Sequence, residues 1–88
     1  MSESTPVRIE VEPLAQGWAV RSAALSNEMV FATGGAAETA ARDLAERLSD
    51  AGRPVRLVVR LKDGSVAGRF IYPPRPAAAP AERVAEPA

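Results

Sequence analysis

Residues 55–72 read VRLVVRLKDGSVAGRFIY, two alternating runs around a single Asp-Gly step. Asp63-Gly64 is the dipeptide that favours a two-residue type I′ hairpin turn, because both central residues of that turn need positive φ. Pairing outward from such a turn sets Leu61 against Val66, Val59 against Gly68, Leu57 against Phe70 and Val55 against Tyr72. That face is apolar apart from one glycine, as a buried sheet face requires. The opposite face takes Lys62 with Ser65, Arg60 with Ala67, Val58 with Arg69 and Arg56 with Ile71. A turn inferred from two residues therefore agrees with the pattern of both flanking strands, and a hairpin closes the fold.

Upstream of it lies a helical pattern. Thr33 is a suitable N-cap, Gly34 and Gly35 fall in the first turn, and Gly52, followed by Arg53 and Pro54, is a helix-terminating glycine. Ala37, Ala40, Ala41, Leu44 and Leu48 form a stripe at 3.6 residues per turn and are the expected buried face. Glu38 with Arg42 and Asp43 with Arg47 are i,i+4 pairs on the solvated side. Before the helix, Val7, Ile9 and Val11 alternate with Arg8, Glu10 and Glu12, the two-residue period of a half-buried strand, expected to stop at Pro13. Trp18-Ala19-Val20-Arg21 reads as a second strand with Trp18 and Val20 inward, and Met29-Val30-Phe31 as a short third. The expected fold is α+β, one mostly antiparallel sheet in the order β-β-β-α-β-β with a single helix on one face. Strand order stays open, with the fourth or fifth strand able to lie beside the first.

Residues 7–72 make one domain, between a short disordered N-terminus (1–6) and a disordered Pro/Ala-rich tail (73–88) too poor in apolar residues to offset ordering entropy. Such a body buries only roughly 60% of the surface its unfolded chain exposes. The chain has no cysteine and no histidine to add a disulfide or a structural metal. Marginal stability and a weak homodimer are expected. The absence of cysteine fits a reducing compartment, no basic start leads into an apolar run, and no segment approaches a membrane span. A cytoplasmic protein without membrane contact is expected. Eleven basic and eleven acidic residues cancel, which removes the bulk attraction that nucleic-acid and anionic-membrane binders rely on.

Gly17-Trp18-Ala19-Val20-Arg21, Phe31-x-Thr33 opening the helix, Ala37-x-x-x-Ala41-Arg42-Asp43-Leu44-Ala45 and the Asp63-Gly64 hairpin occur in that order. On these motifs the stretch from Val11 to Tyr72 resembles a family of short bacterial proteins known only as a domain of unknown function. Gly34, Ala36 and Glu38 stand where that family usually has a Lys, a Glu and an aliphatic residue. The missing Glu at position 36 removes a capping box and implies a looser helix start. The resemblance implies no activity.

Without histidine or cysteine the common general base, the thiol nucleophile and the usual zinc or iron ligands are missing, so no catalytic, cofactor or metal site is expected. Glu10 and Glu12 could form a carboxylate pair, yet on an exposed strand face they are far more often ions paired with arginine. Gly34-Gly35 sits where a helix N-terminus can hold a phosphate, but without the rest of a phosphate-loop fingerprint it reads as a tight strand-to-helix turn. Trp18 shares a face with Val20 and reads as core rather than as a base-stacking platform. One surface remains: Arg56, Arg60, Lys62 and Arg69 on the solvent side of the hairpin, with Arg21 and Arg8 on the same side of the sheet. Its plainest reading is a solvated face neutralised by Glu10 and Glu12. The expected function is a small non-enzymatic interaction module that binds a protein partner or itself, and the alternative is a weak nucleic-acid binder using the arginine face.

Overall fold

Alternation builds the sheet. Ile9, Val11, Val20, Val55 and Leu57 are the largest fully buried side chains, and strand alternation turns all five to the same face. The structure, a computed structural model, describes residues 5–75. In chain order it contains β1 (Val7–Leu14), β2 (Gly17–Ser22), β3 (Met29–Phe31), α1 (Gly34–Asp50), β4 (Val55–Arg60) and β5 (Val66–Tyr72). They form one five-stranded sheet in the order β3-β2-β1-β4-β5, antiparallel except for β1 and β4, which run parallel at its centre. The β-β-β-α-β-β α+β architecture expected from the sequence is the one observed, with β4 beside β1.

The single helix lies across the apolar face, over β1, β2 and β4. Thr33 caps it, its side-chain hydroxyl accepting a hydrogen bond from the Ala36 N–H at 3.1 Å. The first turn carries no acidic residue, so the second half of a capping box is missing. The buried stripe is rotated from the expected one: Ala37, Ala41, Ala45 and Ser49 are buried, whereas Ala40, Leu44 and Leu48 are half-buried. Small side chains on one i,i+4 row let the helix approach the sheet, and the leucines fill the margin beside that contact. Large apolar residues thus flank the contact line here, while residues with little side chain make it.

Three further expectations are corrected. β1 does not stop at Pro13 but continues to Leu14, with Pro13 opposite Trp18. β4 pairs with β1 only from Val7 to Val11, so beyond Val11 that flank has no partner strand and a residue without an N–H is tolerated. The hairpin turn is not a two-residue type I′ turn. Leu61 N–H donates to the Ser65 carbonyl at 2.8 Å and Gly64 N–H to the Leu61 carbonyl at 2.9 Å, which leaves a three-residue loop, Lys62-Asp63-Gly64. Of the three loop residues only Gly64 takes positive φ, 89°, and no non-glycine residue among the described ones does, because a side chain in that region is strained. Asp63 instead accepts hydrogen bonds from the Ser65 N–H at 2.8 Å and the Ser65 hydroxyl at 2.6 Å. The register then slips once. Arg60, not Leu61, pairs with Val66 and Ala67 is left over as a bulge, so the expected pairs Lys62 with Ser65 and Arg60 with Ala67 are not made. The inner pairs are as expected: Val59 with Gly68, Val58 with Arg69, Leu57 with Phe70, Arg56 with Ile71 and Val55 with Tyr72.

The third correction is at the end of the domain. Pro73 to Arg75 return from β5 onto the end of α1: the buried Ser49 hydroxyl donates to the Pro73 carbonyl at 2.6 Å and the Arg75 N–H to the Ser49 carbonyl at 2.9 Å. Arg75 also forms an ion pair with Asp50. The ordered body therefore extends three residues past the expected boundary at Tyr72. The remainder of the expected tail, 76–88, and residues 1–4 lie outside the described residues. Among the described residues no helix is long and apolar enough to cross a membrane.

Two expectations follow. Ser49→Ala leaves the Pro73 carbonyl without its donor and should cost roughly 1 kcal/mol, read as a fall in Tm of several degrees. Arg75→Ala removes only an exposed ion pair and should stay within about 0.5 kcal/mol. Equal effects from the two would refute this account. The second concerns acid: the Ser65 hydroxyl and then its amide hold the Asp63 carboxyl below the ordinary aspartate value. A folded value below the unfolded one means that the turn's contribution is complete above the unfolded value and is lost as pH falls through the lower, folded one. Carboxyl-detected NMR should place the Asp63 midpoint below that of aspartate in the unfolded chain, and Ser65→Ala should move it upward.

Candidate functional site

The strand register puts five of the six arginine-face candidates on one surface. Arg8, Arg21, Arg56, Arg60 and Arg69 alternate with buried or half-buried residues on β1, β2, β4 and β5 and point away from α1. Lys62 does not join them; it sits exposed in the hairpin loop. Glu10 and Glu12 project from β1 onto the same face, in the middle of the sheet.

The two halves of this face differ. On the β1–β2 side Arg21 bonds Glu28 at 2.7 Å and Glu12 at 2.5 Å. The hydrogen bond to Glu28, reinforced by the charges of Glu12 and Glu28, pushes the Arg21 guanidinium above its already high value. Glu10 is shared by Arg8 at 3.0 Å and Arg60 at 3.6 Å. The neutralisation expected from Glu10 and Glu12 is thus present, with Glu28 as a third carboxylate that sequence alternation did not bring onto the face. These exposed pairs contribute little to stability, but they occupy the cations involved.

On the β4–β5 side the cations are left over. Arg56 and Arg69 make no ion pair among the described residues. Arg56 faces Ile71 and Val58 faces Arg69 across the two strands, so the two guanidinium-bearing positions are diagonal neighbours. Arg56 also stands beside Arg8 in the parallel register. Arg8, Arg56, Val58, Arg69 and Ile71 line a shallow depression of about 540 Å³. Val58 is only 5% exposed although no helix among the described residues covers this face, which fits arginine stems lying over it. Ile71, by contrast, is 66% exposed, the largest value among the exposed large apolar side chains. Both residues lie on the polar face of the expected hairpin, so the alternation already carried the signal that an apolar floor accompanies the arginines.

The site is also the margin of the sheet. β5 ends the strand order, and its outer edge has no neighbour among the described residues. The other margin, β3, is only three residues long.

Within the Gly34-Gly35 pair, packing accounts for Gly34. A Cβ on Gly34 would lie 3.1 Å from the Trp18 ring, so Gly34 makes room for the tryptophan, which packs half-buried at the edge of the core and is no stacking platform. Gly17, the residue before it, has φ 144°, and a Cβ there would meet the Phe31 carbonyl at 2.5 Å. That close approach holds β2 against the end of β3 and sets the position of the tryptophan. A scan of protein-family models, a search of curated proteins and a search of solved structures each returned no match.

The two helix glycines make a test of this packing account. Nothing lies within 4 Å of a Cβ on Gly35, so Gly35→Ala should raise stability by roughly 0.5–1 kcal/mol through helix propensity alone. Gly34→Ala presses a methyl onto the Trp18 ring and should lower Tm with a change in tryptophan fluorescence. The same sign for both would refute it.

Proposed function

We propose that this chain is a small non-enzymatic interaction module that binds a protein partner through the uncovered face of its sheet, on the β4–β5 side. One observation carries the reading: among the described residues Arg56 and Arg69 stand together without counter-ions, around a depression that includes the exposed Ile71, at a sheet margin with no neighbouring strand. Side-chain cations held in register over an apolar floor suit recognition of a complementary surface. The absence of histidine and cysteine from the chain supports a role without chemistry, and the cysteine-free composition supports a cytoplasmic location. Membership of the bacterial family of unknown function belongs to the same proposal. A second copy of the chain is a partner of the same class.

A nucleic-acid role is the rival reading, favoured by five arginines on one face. Against it stand Glu10, Glu12 and Glu28 on that face and a net charge of zero. With only Arg56 and Arg69 free of ion pairs on this face among the described residues, the log–log salt slope on duplex DNA would be about −0.9 for each phosphate they neutralise. Labelled DNA and RNA titrated at about 50 and 150 mM salt should give no measurable binding at the higher salt.

The module reading is tested in cells by a photo-crosslinking residue placed at Ile71 and, as a control, at Glu46 on the exposed side of α1. A discrete protein adduct from position 71 and none from position 46 is the expected result. Equal adducts at both positions, adducts to nucleic acid alone, or none at 71 would sink the reading.

A further inference from the structure

The edge of β5 and the two uncompensated arginines belong to one surface, and that conjunction specifies an occupant more narrowly than a protein partner in general. From Gly68 to Tyr72 the β4–β5 ladder is regular, with the bulge confined to Ala67 at the far end. The opposite side of that run therefore presents alternate backbone N–H and C=O groups to any strand that approaches. On the uncovered face the same run carries Arg69 and Ile71, and on the helix side it carries the half-buried Phe70, with Arg42 over its ring at 4.7 Å, and Tyr72.

Resting on the interaction-module reading, we propose that β5 accepts an extended acidic segment of a partner protein as a sixth strand. Carboxylates two residues apart on that segment would be received by Arg69 and Arg56. A strand beside β5 brings the residue opposite Arg69 to a Cβ separation of roughly 5 Å on the same face. The next carboxylate along that face stands opposite Ile71, and the long Arg56 side chain meets it across the isoleucine from one strand further in, roughly 10 Å between backbones. The glutamate methylenes cover Ile71, and apolar residues in the alternate positions fall beside Phe70 and Tyr72. This is peptide recognition by strand addition, with main-chain bonds for affinity and side chains for selection.

Charge decides between this occupant and the others. A nucleic-acid backbone needs a longer track of cations than this half-face offers, and Glu10 stands one strand inward from Arg56. A second copy pairing symmetrically along the regular run Gly68–Tyr72 would centre on Phe70 and set each Arg69 diagonal to the other, bringing the arginines a like charge and no carboxylate. An acidic strand satisfies the edge and the arginines together.

The probe is a capped peptide of about eight residues alternating glutamate and valine, titrated into the full isotopically labelled chain; a counterpart carries lysine for every glutamate. The glutamate peptide should shift the amides of Gly68 to Tyr72 and the Arg56 and Arg69 side chains, and bind at least about tenfold more tightly than the lysine peptide. Arg56→Glu with Arg69→Glu should reverse that order. Circular dichroism reports whether the reversal variant is folded. If it is not, Arg69→Gln alone should weaken the glutamate peptide by roughly threefold or more while leaving the spectrum native. Equal affinity for the two peptides, shifts confined to another surface, no shift at millimolar peptide, or a labelled oligonucleotide that competes for the same amides at about 150 mM salt would each overturn the proposal. A protein adduct at position 71 together with any of the peptide failures separates the two readings: the module stands and the acidic strand falls.

Discussion

Parallel pairing of β1 with β4 is the contact on which the rest of the molecule depends. Parallel neighbours cannot be joined by a tight turn, so the chain between them must make an excursion, and here it spends that excursion on β2, β3 and α1. The pairing places Val7 beside Val55, Ile9 beside Leu57 and Val11 beside Val59, a block of aliphatic side chains at the middle of the sheet. Burying a side chain of this kind contributes roughly 1.5–3 kcal/mol, and the alanine row of α1 is what closes over it. With no cysteine to form a disulfide, this block is the principal source of cohesion among the described residues.

The same register determines the chemistry of the other face. By setting β4 on β1 it puts Arg56 beside Arg8 and Val58 beside Glu10, so the carboxylates of β1 lie between two sets of arginines. Glu10 and Glu12, with Glu28 near β3, serve Arg8, Arg21 and Arg60. Arg56 and Arg69 stand on the far side and receive none among the described residues. A one-residue slip of β4 would have sent these arginines into the core, so the charged margin and the apolar block are two consequences of one alignment. Arg69 lies two strands from β1, and Arg56, on the strand next to β1, stands beside Arg8 and not beside a carboxylate.

Element types were legible because each rests on a short-range pattern. The alternation of Val7, Ile9 and Val11, the Thr33 cap and the inner pairs of the hairpin all appear as expected. The misreadings share a different origin. Ala45 and Ser49 are buried because of where the sheet lies under the helix, and Ser49 in particular has the Pro73 carbonyl to satisfy it, a partner far away in the sequence. The turn differs because Asp63 binds Ser65 rather than taking positive φ, and the bulge at Ala67 follows in the adjoining ladder. Of the six arginine-face candidates, Lys62 fell away for the same reason, since a three-residue loop removes it from the strand.

By itself the sequence determined which segments are strands and helix, which face of each is apolar, that neither a thiol nor an imidazole is at hand, and that arginines crowd one side of the last hairpin. Those properties depend on neighbours along the chain, and periodicity reports them directly. Only the tertiary structure decided that β4 lies against β1, that Glu28 reaches Arg21, and that among the described residues Arg56 and Arg69 are left without carboxylates beside an open strand edge. These outcomes come from pairing between segments that are remote in sequence. Alternation is compatible with several strand orders, and the choice among them falls to the joint burial of all the apolar faces under one helix.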